Sequence, residues 1–392
     1  MLPLFAVRRV RYAIGYFWLF VRFIRLAFPG LFLYRVVNSL PRKSNLRKLK
    51  LPQGGDANYA LTSELTRSDV SKSQFDLGVA LALPIRAIRS NFVMEGEMLF
   101  AYKNSLLQLG ITPLIIDPYP VTGDIYEHRK NIIRELVDKR VQILVLQGDS
   151  RLKDSPIFDL EFVQQIRKKE IRIVVDLIDC FLTRNGQETV NFFNSVADCL
   201  IYHNSRLNLQ GPLSKSSVLW PSLPYPEDYY ISRHTTRVID VLIPGSQHRN
   251  RDWFANYATK HNLQLTNSLF SRTELTSASY EYSNYVNQLC RSKMVFTNGY
   301  RNRRESQVIG RVTETILAKA VLLYETGSDI DFFFEPYVDY IPIDSFPDFV
   351  EKSRYLLNQP QITQNISNQA LSKLSSKYSS GLFWNSIDGI LS

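Results

Sequence analysis

Apolar and polar positions along this chain follow two periods. From residue 75 onward, short unbroken apolar runs alternate with longer stretches in which apolar residues recur every three or four positions. A run of four to eight apolar residues bounded by turn formers reads as a strand buried on both faces, and the longer period reads as an amphipathic helix. This predicts strands at 77–83, 113–116, 141–146, 171–176 and 199–202, and helices at 92–109, 126–139, 160–169 and 190–196. Together they make a first domain over 75–210. Pro212, Pro221, Pro224 and Pro226, with no sustained period, mark 211–236 as a linker. A second domain over 237–360 shows strands at 238–243, 263–266, 293–297 and 320–324, with helices at 252–261, 280–291 and 346–357. Helical patterns at 362–373 and 378–391 follow, in a C-terminal segment over 361–392. Strand-helix alternation at this short spacing predicts α/β architecture, with two Rossmann-like parallel sheets carrying helices on both faces. No GxGxxG dinucleotide fingerprint occurs in either half.

Residues 1–50 break the pattern. Two aromatic-rich runs, 12–21 and 26–34, are interrupted by Arg22 and Arg25, and neither reaches the roughly 20 apolar residues of a spanning helix. At helical spacing Arg11, Trp18, Arg22 and Arg25 share a stripe opposite Ala13, Phe17, Phe20 and Ile24. Charge changes the picture here. The chain has a formal net charge of +10, yet residues 1–50 hold eleven Arg or Lys and no acid, which leaves the body balanced. A surplus confined to an apolar amphipathic segment predicts contact with an anionic membrane surface and argues against nucleic acid as the partner. The other reading is that the segment packs on the protein's own body or on a partner. Residues 51–74 read as a tether. Cys180, Cys199 and Cys290 are widely spaced in or beside apolar segments, as expected of reduced core thiols in a cytosolic protein.

Candidate chemistry gathers at strand ends, where open parallel sheets bind ligands. Between 307 and 343 the chain reads as helix, buried strand, acidic turn, aromatic helix and short strand. Ile309, Val312 and Ile316 form its packing face, Arg311 and Glu314 lie on another, and Glu325 ends the buried strand. The strand at 238–243 runs into Pro244, Gly245, Ser246, Gln247, His248, Arg249, Asn250 and Arg251. Small residues followed by arginines at a helix start suit a diphosphate. In the first domain Glu95, Glu97, Asp149, Asp176, Asp179 and His203 follow strands, and one of them would deprotonate an acceptor hydroxyl in an inverting transferase. Each is alternatively a helix cap or turn residue, and Arg311 with Glu314 alternatively a solvated helix pair. Arg301, Arg303 and Arg304 could serve phosphate, acceptor or a solvated face. Asp329 and Asp331 form a DxD that reads as a cap for the helix after it, and no metal site is expected. HExxH, Walker, zinc-spacing and GxSxG patterns do not occur.

The order Arg311, Glu314, Glu325, Phe-Phe-Phe-Glu-Pro at 332–336 and Tyr-Val-Asp-Tyr at 337–340 resembles the donor half of GT-B glycosyltransferases. The branch it most resembles is the group 1, spore-maturation-type one. The resemblance implies two Rossmann-like domains facing a cleft, with C-terminal helices packing back on the first domain. It implies that Glu314 grips the ribose of a nucleotide sugar, that Arg311 orders Glu314 or reaches a phosphate, and that Gly245, Ser246, Arg249 and Arg251 meet the diphosphate. Glu325 completes the donor set, and Glu95 is the candidate base, because its loop is where relatives often keep catalytic or acceptor groups. The expected activity is metal-independent transfer of a hexose-like sugar to a glycan, lipid-linked sugar or protein, at the inner face of the cell membrane, without a cofactor. The competing expectation is a catalytically silent scaffold, since Ser306 and Lys319 stand where relatives carry glutamate and glycine. An epimerase on the same architecture is a third.

Overall fold

Period-two sorting of apolar side chains accounts for the layers of the molecule. In the computed structural model the described residues are 78–391, apart from 84–85, 90–91, 96, 119–123, 149–157, 178–185, 204–215, 247–248, 271–281, 303–304, 307 and 327–328. They fall within one unit, Thr66–Ser392. The amphipathic segment 1–50 and the tether lie outside the described residues.

The first sheet comprises β1 (Val79–Ala82), β4 (Leu114–Ile115), β5 (Ile143–Gln147), β6 (Arg172–Asp176), β7 (Cys199–Tyr202) and β8 (Ser217–Leu219). Its order is β4-β1-β5-β6-β7-β8, and every pairing is parallel. The helices between these strands are α1 (Glu97–Gln108), α2 (Ile125–Asp138), α3 (Leu160–Arg167) and α4 (Gly186–Val196). Asp124 and Asp159 cap α2 and α3 by accepting the amide protons of Tyr126 and Phe162. Ala80, Leu144 and Val175 point to the α2, α3 and α4 side, whereas Leu81, Val145 and Val174 point to the side of α1.

Two readings of this half change in the structure. The helix expected from 92 starts at Glu97, because Phe92–Glu95 is a strand, β3, paired antiparallel with β2 (Arg86–Arg89). A short apolar run fits either period, and in the hairpin the backbone register sets Arg86 opposite Glu95. Within the stretch 211–236 lie β8, the sixth strand of the first sheet, and α5 (Glu227–Ile231).

The second sheet has the order β10-β9-β11-β14-β15, again parallel throughout. Its strands are β9 (Ile239–Ser246), β10 (Leu265–Phe270), β11 (Ser292–Thr297), β14 (Val321–Glu325) and β15 (Ile341–Ile343). A small hairpin, β12 (Tyr300–Asn302) with β13 (Glu305–Ser306), precedes β14. The helices are α6 (Arg249–Lys260), α7 (Tyr282–Cys290), α8 (Gly310–Leu317), α9 (Phe346–Leu357), α10 (Pro360–Lys377) and α11 (Ser380–Leu391). Val241, Met294 and Leu323 face α6 and α9, and Leu242, Val295 and Leu322 share a continuous core with the inner face of the first sheet.

The last helix closes on the first sheet. Phe383 and Trp384 of α11 pack edge-on against Tyr102 of α1 at 5.7 and 5.8 Å, and Trp384 Nε1 donates to Ser105 Oγ at 3.0 Å. Glu227 of α5 fixes its start, accepting the Ser380 amide at 2.5 Å and the Ser380 hydroxyl at 2.7 Å. Two parallel sheets of this kind, interleaved with helices, are the architecture expected from the alternation of apolar runs.

Candidate functional site

Helix α8 is short, strongly amphipathic in sequence, and starts without a side-chain cap. In its first turn, uncapped by any side chain, the Val312 amide donates to the Ile309 carbonyl at 3.0 Å. Gly310 and Arg311 occupy that turn. The Arg311 guanidinium lies directly over Gly245, which turns the end of β9 with φ of +106°. A Cβ there would come within 2.6 Å of Arg311 Cζ, so only glycine allows the contact. Burial by itself would weaken the guanidinium's hold on its proton, but Tyr285, Glu97 and Glu314 around it outweigh that effect.

One turn further, Glu314 is 1% exposed. Its Oε1 accepts the hydroxyls of Tyr282 at 2.6 Å and Tyr230 at 3.1 Å, and its Oε2 accepts that of Tyr285 at 2.9 Å. Burial, then the charge of Glu97, push the Glu314 carboxyl up to about 7, against the pull of Tyr282, Arg311 and Tyr285. The same burial, followed by the charge of Glu314, raises the three phenols far above their ordinary range, so they remain donors.

The first lobe reaches this cluster through Glu97, the opening residue of α1. Glu97 Oε1 accepts the Tyr225 hydroxyl at 2.5 Å. Both atoms lie over Gly310, where an added Cβ would stand 2.7 Å from Glu97 Oε1. Phe100, one turn along α1, packs on Tyr282 at 4.3 Å and on Tyr229 at 5.0 Å.

A second group gathers at the ends of β11 and β14. Arg251, in the first turn of α6, is 4% exposed. Glu325, the last residue of β14, has its carboxyl raised by burial, with the Asn298 side-chain hydrogen bond and the charge of Arg251 opposing. Glu325 Oε2 and Thr297 Oγ1 are buried with no hydrogen-bond partner among the described residues. They leave polar capacity for a ligand at the strand ends.

The sequence candidates thus divide. Gly245, Arg311 and Glu314 come together, as do Arg251 and Glu325. Ser246 closes β9 and Arg249 opens α6, but their side chains lie outside the described residues. Glu95 closes β3 opposite Arg86, and its side chain is likewise outside them, as are Asp149 and Asp179. Asp176 and His203 are enclosed. His203 Nε2 faces Asp176 Oδ1 at 2.9 Å, His203 Nδ1 faces the Trp220 carbonyl at 3.1 Å, and Tyr102 donates to Asp176 Oδ2 at 2.6 Å. Asp176 and His203 are 0% and 2% exposed. Asp329 and Asp331 sit in a 3-10 turn, Asp329–Phe332, with Asp331 accepting the Tyr340 hydroxyl. Among the described residues no three His, Cys, Asp or Glu side chains group as metal ligands, and no helix is long and apolar enough to cross a membrane.

No sequence motif marks the tyrosines around Glu314. The density of phenols in Pro-Tyr-Pro-Glu-Asp-Tyr-Tyr at 224–230 and Tyr-Glu-Tyr-Ser-Asn-Tyr at 280–285 was the available signal.

Comparison with known proteins bears on the fold. Residues 239–381, from β9 to the start of α11, match a family described as "Glycosyl transferase-like". HepE from Anabaena, solved in complex with UDP-glucose, superposes with a TM-score of 0.51 at 10% identity, over 79% of this chain and 90% of that one. Sucrose-phosphate synthase from Thermosynechococcus elongatus gives a TM-score of 0.51 at 9% identity, over 80% of this chain and 99% of that one. No curated protein sequence matches. With its paired parallel sheets, the chain has the GT-B-like fold of these neighbours, and its segment 239–381 is similar to a glycosyl transferase-like family.

Proposed function

We propose that the protein transfers a sugar from a nucleotide-sugar donor to an acceptor hydroxyl of a glycan, lipid-linked sugar or protein. The observation that carries this reading is the seating of Arg311 on Gly245 beside Glu314, at the carboxyl edge of the second sheet. Arg311 and the uncapped first turn of α8 offer positive potential where a diphosphate leaving group would gain charge as the glycosidic bond breaks. Arg249 and Arg251, with the turn at Gly245 and Ser246, would complete that cradle.

Glu314 would bind the donor ribose by exchange. It already accepts three hydroxyl donors, and a vicinal diol offers two more of the same kind. Tyr282 and Tyr285 are half-buried, so their hydroxyls are the ones to give way, while Tyr230 is enclosed and stays. Glu325 would take a further donor group on Oε2. HepE, the neighbour solved with UDP-glucose, makes UDP-sugars the first donors to try.

The basic amphipathic segment 1–50 would hold the enzyme at an anionic, cytoplasmic membrane face. The reaction so conceived uses no metal and no cofactor. A second reading keeps the nucleotide-sugar site without turnover, as a membrane scaffold. The saturation of Glu314 by tyrosines favours it.

The test is a thermal-shift screen of UDP, GDP, UDP-glucose and UDP-N-acetylglucosamine, since a ligand that binds the folded state alone raises its melting temperature. A radiolabelled donor is then incubated with membranes. Transfer that disappears in Glu314→Ala supports the enzyme. Binding without transfer to any membrane fraction supports the scaffold, and no shift with any nucleotide sinks both.

A further inference from the structure

The two edges of the first sheet differ in charge. At the amino edge β1, β5 and β6 begin side by side. The Gly78 carbonyl accepts the Gln142 and Ile143 amides at 2.7 and 3.1 Å, and the Gln142 carbonyl accepts the Arg172 amide at 2.8 Å. Helices α2 and α3 end at the same edge, because a crossover helix runs back against its strands. Lys139, Arg140, Arg167, Lys168, Lys169 and Arg172 are all exposed there. The acids beside them are Asp138, Glu170 and Asp198, and one turn earlier on α2 Arg134 and Glu135 cancel. Asp198 is already engaged, by Arg167 at 2.8 Å, Arg172 at 3.9 Å and the Ile173 amide at 2.8 Å. At the opposite edge, where α2 and α3 start, the caps are Asp124 and Asp159 and the first turns carry Glu127 and Glu161.

Compensation of helix dipoles does not account for the basic edge. Helices α1, α2 and α4 have no basic residue in their last turns, and Arg140, Lys169 and Arg172 lie past the helix ends. Two aliphatic side chains accompany these cations. Leu107 and Val137, in the last turns of α1 and α2, are 46% and 48% exposed. The polypeptide also enters the body here. Gly78 leads into β1 and lies so close to the Arg140 carbonyl that an added Cβ would collide with it, so the chain coming from residues 1–74 joins the first lobe beside Arg140.

We propose that this amino edge is a second membrane-contacting surface, which lies on anionic lipid headgroups with Leu107 and Val137 at the acyl boundary. The inference rests on the reading of residues 1–50 as a membrane-bound segment, and adds which face of the body that segment brings to the surface. Each lysine or arginine close to an anionic bilayer strengthens binding about five-fold, and the effect fades within a Debye length of about 8–10 Å. The charges therefore act only when the edge itself comes down onto the headgroups. Two weak signals on one chain hold where either alone is marginal. The carboxyl edge, where the candidate site gathers, is the opposite one, so this docking leaves it uncovered.

The experiment measures binding of the full-length chain to vesicles of phosphatidylcholine, alone and mixed with phosphatidylglycerol. The wild type should prefer the anionic vesicles and lose that preference at high salt. Lys139→Gln, Lys168→Gln and Lys169→Gln combined should weaken anionic binding about a hundred-fold, and glutamate at the same three positions should weaken it further. A graded response of this kind does not arise from unfolding. The control combines Lys260→Glu, Arg291→Glu and Lys377→Glu, three exposed residues of the second lobe that change net charge equally. It should weaken binding a few-fold at most. Equal losses in the two glutamate variants would assign the effect to net charge and overturn the docking face. First-lobe variants that bind as tightly as the wild type would also overturn it, while leaving residues 1–50 as the anchor. A wild type that ignores anionic vesicles overturns the membrane reading itself, and this inference with it.

Discussion

Arg311 rests its guanidinium on the bare Cα of Gly245, so a residue in the first turn of α8 and the turn ending β9 are mutually dependent. Two separate costs meet at position 245. The φ of +106° is unfavourable for any L side chain, and a Cβ would stand 2.6 Å from Arg311 Cζ and 2.8 Å from Nε. Gly245→Ala is therefore expected to cost about 1–3 kcal/mol of stability. It should also swing Arg311 out of place and weaken nucleotide-diphosphate binding. Chemical denaturation together with titration of UDP checks both effects, and a variant with wild-type stability would contradict the geometry.

Glu314 should make stability depend on pH in an unusual direction for a carboxylate. Its carboxyl is raised from 4.5 to about 7 on folding, by burial first and by the charge of Glu97 second. The folded chain then holds a proton that the unfolded chain has released. This contribution is complete below about pH 4.5 and declines as pH climbs toward 7, by about 1.4 kcal/mol per unit inside that window. Glu314→Gln carries no such proton. The difference in unfolding free energy between wild type and Glu314→Gln, measured at pH 5, 6 and 7, should move steadily against the wild type. A difference that is constant across the window would show that Glu314 is ionised throughout.

Much of this arrangement was legible in the chain itself, for identifiable reasons. The run Ala320 to Tyr324 is buried on both faces, and unbroken apolarity of that length has few other uses in an α/β protein. The helix period shows that Arg311 and Glu314 lie three residues apart, off the packing face of Ile309, Val312 and Ile316. The 92–109 stretch was harder. Phe92–Glu95 satisfies either period, and the hairpin partner Arg86–Arg89 that decides it is not apolar. The tyrosine ring around Glu314 was not legible at all. Tyr230, Tyr282 and Tyr285 come from two helices far apart in sequence, and no local pattern marks a phenol whose partner lies 29 to 84 positions away. Glu97 meets Tyr225 across 128 positions, which raises the same difficulty.

Lys319 stands where the resemblance leads one to expect glycine, and the backbone explains the expectation. It follows α8 with φ of +60°, and the Lys319 and Ala320 amides donate to the Ile316 and Thr315 carbonyls at 2.8 and 3.1 Å. That pair of bonds is a Schellman ending, whose left-handed residue is most often glycine. A lysine there carries a left-handed penalty of roughly 1–2 kcal/mol, partly offset by the greater chain entropy that glycine would lose. Lys319→Gly should accordingly stabilise by about 1 kcal/mol, which is a rise in melting temperature of about 2 °C for a chain of this size. Activity should not change. A destabilised Lys319→Gly would mean that the lysine side chain has a compensating role.

Trp384 tests whether the C-terminal helix is structural cement for the first lobe or a loose appendage. It is 3% exposed, donates to Ser105 Oγ at 3.0 Å, and meets Tyr102 and Phe383 edge-on at 5.8 and 5.3 Å. Tyr102 in turn donates to Asp176, so the indole supports the helix that also carries Glu97. Trp384→Ala removes the ring and leaves a cavity against α1, at an expected cost of about 3–5 kcal/mol. Trp384→Phe keeps most of the packing and loses one hydrogen bond, which costs about 1 kcal/mol. If α11 is cement, the alanine variant should also weaken protection of the α1 amides in hydrogen exchange, while those of β14 keep theirs. Uniform loss of protection across both sheets would instead assign Trp384 to the single shared core, and no loss would detach α11 from the first lobe altogether.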